Sequence, residues 1–307
     1  MRREFWEHKG GFVWAPVITG CVAIAFVILA AIAATILGQK HGVHVNEDAA
    51  EATRVLGAVG DGALLGGIGL AMAVLAFVVF FYALGSLYDD RRDRSILFWK
   101  SMPVSDTQMV LSKAAWALVM APLVALVIGI AIGLVLWVIT MLTSTVNGIS
   151  GTSAMLTHSH PFRIIGQILL ALPVQVLWSL PAVGWLMLCS AWSRRVPFLW
   201  AVMLPVLSCT MISFVGGILS ATSDVEVPHD KVWYTLVYRG LLSVVPGSWI
   251  PTLEDMQHVR SPEGVPEALS LGSSWQVFAH ADVWLGAILG IAMIYGAIRL
   301  RRWRDEG

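Results

Sequence analysis

The sequence predicts an all-α, polytopic membrane protein with six transmembrane helices, an N-terminal interfacial elbow helix and both termini in the cytoplasm. Three observations carry this expectation. Hydrophobic residues make up 57% of the 307 positions and the mean hydropathy is +0.74, whereas soluble domains average about 45–50% apolar. The apolar residues gather into six runs, each long enough to cross the roughly 30 Å hydrocarbon core, which takes about 20 helical residues. The basic residues are distributed very unevenly around those runs. The whole chain, 1–307, reads as a single transmembrane domain without internal repeats or low-complexity tracts.

The runs are Trp14–Gly38, Gly62–Leu87, Ala114–Leu142, Ile164–Trp192, Val196–Leu219 and Asp282–Leu300. Each is expected to be a helix, because lipid offers backbone N–H and C=O groups no partner outside their own segment. The first run is longer than the 7–15 apolar residues of a secretory signal, so it is expected to be a retained span. With the N-terminus inside, 14 of the 20 Lys and Arg residues face the cytoplasm, while 12 of the 20 acidic residues face outward. That is the positive-inside bias.

The connecting segments add detail. In "REFWEHKGGF", Phe5 and Trp6 sit beside charges, which fits an interfacial helix and equally fits snorkelling charges with an aromatic belt. The outer loop, 220–281, contains Val232, Trp233, Leu236, Val237, Leu241, Val244 and Val245 at helical spacing, ended by Pro246-Gly247. An amphipathic helix on or dipping into the outer leaflet is expected there. Pro173 and Pro181 should kink the fourth span. Gly62 and Gly66, Gly129 and Gly133, and Gly286 and Gly290 are each one turn apart, a spacing that lets helix backbones approach closely. Packing within the bundle is the simpler reading of these pairs; a subunit seam is the other.

The missing chemistry narrows the function. Asp61 and Asp282 lie at outer span ends, and Gln167 and Gln175 are the main polar groups inside the fourth span. Ion-coupled carriers use ionisable groups at mid-membrane, so a secondary transporter or proton pump is disfavoured. No G-x-x-x-x-G-K-[ST] loop occurs, so ATP hydrolysis would have to come from another chain. Cys21, Cys189 and Cys209 lie in apolar runs and read as packing residues. "GISG" at 148–151 matches the G-x-S-G of rhomboid-type proteases, but Ser150 sits in a polar loop and no span interior has a histidine to activate it. Seven of the eight histidines fall on the outer side: His41, His44, His158, His160, His229, His258 and His280. They lack a supporting Cys or carboxylate constellation, so no metal site is assigned. Zero net charge speaks against a nucleic-acid partner.

The most distinctive stretch is "LYDDRRDRSILFWKSMPVSD", from Leu87 to Asp106. Charged residues are 13% of the chain, yet this segment holds Asp89, Asp90, Arg91, Arg92, Asp93, Arg94 and Lys100. Its charged start should extend the second span as a helix, stiffened by Asp–Arg pairs at helical spacing. Ser95 can cap a short helix, Ile96-Leu97-Phe98-Trp99-Lys100-Ser101-Met102, which Pro103 ends. Ser105 and Gln108 then form an S-x-x-Q capping box that starts the helix leading into the third span. The apolar knot at Phe98, Trp99 and Met102, ringed by charge, suits a partner's groove; folding back as an aromatic belt is the alternative.

This arrangement resembles the permease subunit of an ABC-2-type ABC transporter. The resemblance covers nearly the whole chain and is sharpest in "YDDRRDRSILFWKSMPVSDTQMVLSK", with weaker support from the closing "WLGAILGIAMIYGAIRLRRWRDE". It implies a coupling loop at 88–113 that seats Arg94, Ser95, Ile96, Leu97, Phe98, Trp99, Lys100, Met102, Pro103 and Ser105 in a separate ATPase subunit. It further implies two ATPases, which bind the ATP and Mg, a second permease copy or a related one, and export across a bacterial inner membrane. This chain would carry no cofactor and no catalytic residue. The family's pair of re-entrant outer helices is not assignable in 220–281. A non-transporting scaffold or sensor of the same architecture, or a membrane metalloprotein using the outer histidines, are the rival classes. Apolar spans poor in charge suit a hydrophobic, amphiphilic or lipid-like cargo.

Overall fold

A computed structural model describes residues 2–41, 49–92, 105–147, 156–222, 228–250 and 271–305. Helix is the only regular structure among them. α1 (Arg2–Lys9) runs through a π-turn, Gly10–Trp14, into α2 (Ala15–His41). α3 (Ala49–Gly85) is followed by the short α4 (Tyr88–Arg92). α5 (Asp106–Ala115) passes through a π-turn, Trp116–Met120, into α6 (Ala121–Val146). α7 is Pro161–Trp192, and α8 (Leu204–Thr222) follows the π-turn Leu199–Met203. α9 (His229–Trp233) continues as a π-turn to Arg239, α10 is Leu271–Gln276, and α11 (Ala281–Asp305) is the last helix.

Six continuous helical runs are long and apolar enough to cross a membrane: Trp6–Leu37, Val55–Gly85, Asp106–Val146, Leu156–Trp192, Leu199–Thr222 and Ala281–Trp303. The chain is therefore a membrane-spanning helical protein. Four of these runs begin about two turns before the apolar stretches expected from sequence, because start signals such as the Ser105 cap lie upstream of the greasy residues.

The core is built from α3 packed on α6 and α7 packed on α11, the two most extensive helix pairs. Glycines set both crossings. A Cβ on Gly67 would overlap the Gly133 backbone, and one on Gly129 would lie 2.9 Å from the Ile68 Cα. A Cβ on Gly184 would lie 2.5 Å from the Gly290 carbonyl oxygen, and one on Gly290 2.6 Å from that of Leu180. The pairs Gly129/Gly133 and Gly286/Gly290 thus pack within the chain, while a Cβ at Gly62 or Gly66 would meet nothing within 4 Å. The first and fifth spans lie at the periphery and leave Phe26, Leu29, Met211 and Phe214 exposed.

Proline explains the π-turns inside the spans. Pro16, Pro122 and Pro205 each stand two residues after a π-turn. Proline lacks the N–H owed to the carbonyl four residues back, and a locally widened turn accommodates the loss. At Pro205 the carbonyl so deprived belongs to Ala201, and it accepts the indole N–H of Trp185 at 3.0 Å. α7 continues through Pro173 and Pro181. The carbonyls three residues before them also take outside donors: Leu170 from Trp275 Nε1 at 3.1 Å and Trp178 from Arg239 Nη1 at 2.9 Å.

Two expected details differ. The second span does not extend straight into its charged tail. α3 ends at Gly85, the chain turns at Ser86-Leu87, and the amides of Leu87 and Tyr88 donate to Ser190 Oγ of α7 at 3.1 and 3.0 Å. The helical pattern expected over 232–245 is interrupted by a turn at Gly240 and resumes as a 3-10 turn, Leu242–Val244; Pro246-Gly247 ends it with Gly247 at φ 80°.

Candidate functional site

One end of the bundle gathers Arg91, Lys113, Arg301 and the Ser193–Arg195 turn; it is called here the basic end, and its opposite the far end. Both carry charge in buried settings, and the two are built differently.

At the basic end, the chain leaving α3 and the chain entering α5 are clasped together. Asp90 of α4 accepts from Lys113 Nζ of α5 at 3.4 Å through Oδ1 and from Arg301 Nη1 of α11 at 3.3 Å through Oδ2. Arg301 Nε also lies 3.4 Å from Asp106 Oδ1. Lys113 is 5% and Arg301 4% exposed, so two buried cations are met by the partly exposed carboxylates of Asp90 and Asp106. Beside the clasp, Arg91 donates to the carbonyls of Ser190, Ala191 and Ser193 at the C-terminus of α7. A cation there complements the helix dipole. The charge contacts of Asp90 and Arg91 thus tie α4 to three other helices, α5, α7 and α11, a longer-range job than the helical-spacing pairs expected from sequence. An aromatic group braces the same end: Phe12, 1% exposed, packs edge-on against Tyr82 and Trp116, with ring centroids 5.2 and 5.6 Å apart.

Of the residues assigned to coupling, Ser105 is described and stands at the N-cap of α5. Its hydroxyl accepts from Gln108 N at 3.3 Å, and Gln108 Oε1 accepts from Ser105 N at 3.4 Å, which is the expected capping box. Arg94, Ser95, Ile96, Leu97, Phe98, Trp99, Lys100, Met102 and Pro103 lie outside the described residues. The clasp therefore defines the two points from which that segment departs and to which it returns.

At the far end, the chain after α8 turns back into the bundle. Arg239, 6% exposed, lays its guanidinium 3.7 Å from the ring centroid of Trp178, and its Nη2 donates to the carbonyl of Asp282 at 3.2 Å. Trp178 Nε1 donates to Ser248 Oγ at 2.8 Å, Tyr238 bonds the Ser248 carbonyl, and Gln175 Nε2 reaches the Val244 carbonyl at 3.5 Å. Trp178 stands about 21 Å along α7 from Trp192, at 1.5 Å per residue, so Arg239 sits within the apolar length of the bundle. Sequence reasoning placed Arg239 in an outer loop. The readable signals were its position in an amphipathic stretch, the exposed carbonyls that Pro181 promises in α7, and Gly286, where a Cβ would overlap the guanidinium.

A cavity of about 730 Å³ opens beside Arg239, lined among others by Pro181, Trp185, Pro205, Lys231, Asp282 and Leu289. Among the described residues no three His, Cys, Asp or Glu side chains converge as metal ligands. His160 serves the fold, its amide donating to Asp61 Oδ1 at 2.9 Å, and His158 Nδ1 lies 3.0 Å from Thr157 Oγ1. Ser150, His44, His258 and the side chain of His41 lie outside the described residues. No protein-family model, curated protein or solved structure matches this chain.

Proposed function

We propose that this chain is the permease subunit of an ATP-driven exporter of the ABC-2 type, resident in a bacterial inner membrane and coupled to a separate ATPase through the loop 88–113. One observation carries the reading: both ends of the segment 93–104 are fixed to the spans by the clasp of Asp90, Lys113, Arg301 and Asp106. A loop so tied transmits a push on its tip to the second, third and sixth spans, because an element shared by two sites must be biased by both for coupling to travel. The Ser105 capping box gives the returning arm a rigid start. The capture of Leu87 and Tyr88 by Ser190 adds the fourth span to the same unit.

In this reading ATP and Mg are bound by the partner, two ATPases act on a pair of permeases, and Phe98 and Trp99 are the handle. The test is co-purification of the permease with an ATPase subunit from its own cells, followed by ATP-driven substrate movement in vesicles. Phe98→Ala combined with Trp99→Ala should release the ATPase and abolish transport while the permease stays folded. Retained co-purification and transport in that variant would overturn the assignment of the handle. A stable complex that hydrolyses ATP and moves nothing would favour a scaffold or sensor.

A further inference from the structure

We propose that the far-end cavity binds an anionic amphiphile, a molecule with a phosphate or carboxylate head and an apolar tail. The inference stands apart from the coupling reading, since such a site binds whether or not the chain transports. Its volume of about 730 Å³ falls among ordinary ligand pockets, which run from about 300 to 1,000 Å³. Among the described residues, the charged groups lining it are Lys231, Arg239 and Asp282, two cations against one carboxylate. Arg239 is the decisive one. It is 6% exposed, its hydrogen-bond partners are two neutral carbonyls, and its face lies on Trp178. No carboxylate among the described residues lies within ion-pair distance of it. The Asp282 carboxylate acts on it only at longer range, without a direct ion pair; a buried charge so weakly met is costly, and a guanidinium with five N–H donors keeps some in hand after two bonds. An oxyanion entering the cavity would meet donors suited to bidentate contact.

The remaining walls select for a tail. Leu204, Leu285 and Leu289 line the cavity and are themselves 38%, 59% and 58% exposed on the apolar outer face of the bundle. The cavity is thus continuous with the surface that faces hydrocarbon. A small hydrated anion would leave that apolar wall wet, whereas an amphiphile already oriented in the bilayer can enter sideways and cover it. Gly286 completes the geometry, because any side chain there would push the guanidinium out of position.

The experiment is native mass spectrometry of the full-length chain in a neutral detergent, with phosphatidylglycerol, phosphatidylcholine and inorganic phosphate as separate probes. One phosphatidylglycerol should be retained about tenfold more tightly than phosphatidylcholine. Arg239→Gln and Lys231→Gln should each erode that preference, and Asp282→Asn should increase it. Lys231 and Asp282 are exposed, so their variants keep the test decisive if Arg239→Gln fails to fold. Equal retention of the two lipids, or indifference to both exposed variants, would overturn the proposal. So would competition by inorganic phosphate at the same molar concentration, which would mean that the tail contributes nothing. No ATPase enters the measurement, so its failure and the failure of the coupling reading are separable.

Discussion

The two ends of this bundle bury arginine in opposite ways. Arg301 at the basic end meets Asp90 and Asp106, and its neighbour Lys113 shares Asp90. Arg239 at the far end meets two carbonyls and an indole face. Each is almost wholly removed from solvent, so exposure does not distinguish them; the company they keep does. A charge balanced inside the chain holds helices together and leaves nothing for a ligand. A charge beside a cavity that has no direct ion pair among the described residues keeps donors for an anion.

The sharpest way to break the comparison is Asp90→Ala. It takes from Lys113 and Arg301 the carboxylate they share, and losing one partner of a buried pair costs about 3–5 kcal/mol. Thermal unfolding of the purified chain in detergent should show a large fall in Tm. A fall no larger than that of an exposed substitution would mean that the clasp is solvated and contributes little. Gly67→Ala comes next, because its Cβ has only the Gly133 backbone to move into; overpacking of this kind costs about 1–3 kcal/mol. Gly62→Ala in the same helix, with open space around it, should leave Tm unchanged. Similar losses from both would show that the α3–α6 crossing is looser than the packing indicates.

How much of this was legible beforehand follows from which forces act locally. The six spans were readable because crossing hydrocarbon imposes length and composition on each helix separately. The Ser105–Gln108 box was readable because a cap is set by residues three apart. Asp90, Lys113 and Arg301 were each visible as charges, and the even span count put them on one side, yet their meeting depends on how α4, α5 and α11 pack side by side, which no local pattern encodes. The partners of Arg239, expected in an amphipathic stretch lying on or dipping into the outer leaflet, were hidden for the same reason. Its partners are carbonyls of α7 and α11, and a backbone acceptor carries no letter in the sequence. The prolines hold the part that could have been foreseen: Pro181 and Pro205 each free a turn of helix to accept an outside donor, and Arg239 and Trp185 supply those donors.

Ser105→Ala sharpens the picture at the clasp's edge. Removing an N-cap hydroxyl costs about 1 kcal/mol, which should appear as a small fall in Tm. Under the proposed function the same change should loosen the returning arm and weaken ATPase co-purification beyond what the stability loss explains. Ser105→Thr or Ser105→Asp, which keep a capping oxygen, should restore both. Failure of both rescues would show that the hydroxyl acts through some contact other than the cap.

The smallest expected effect is the most telling. Arg239→Met removes two hydrogen bonds and a cation over an indole, each worth about 1 kcal/mol. It also removes the cost of holding a charge without a direct ion pair away from water, which is of the same order or larger. Replacing buried ionic groups by apolar ones of similar length is often neutral or stabilising. The apo protein carrying Arg239→Met should therefore unfold within about 1 kcal/mol of the parent, in sharp contrast to Asp90→Ala, although both changes strike a cluster built on a buried arginine. A loss as large as that of Asp90→Ala would mean that Arg239 is balanced within the fold by partners the carbonyls only hint at, and the distinction between the two ends would collapse. Near-neutrality would mean that the protein keeps this arginine for something its own fold does not require.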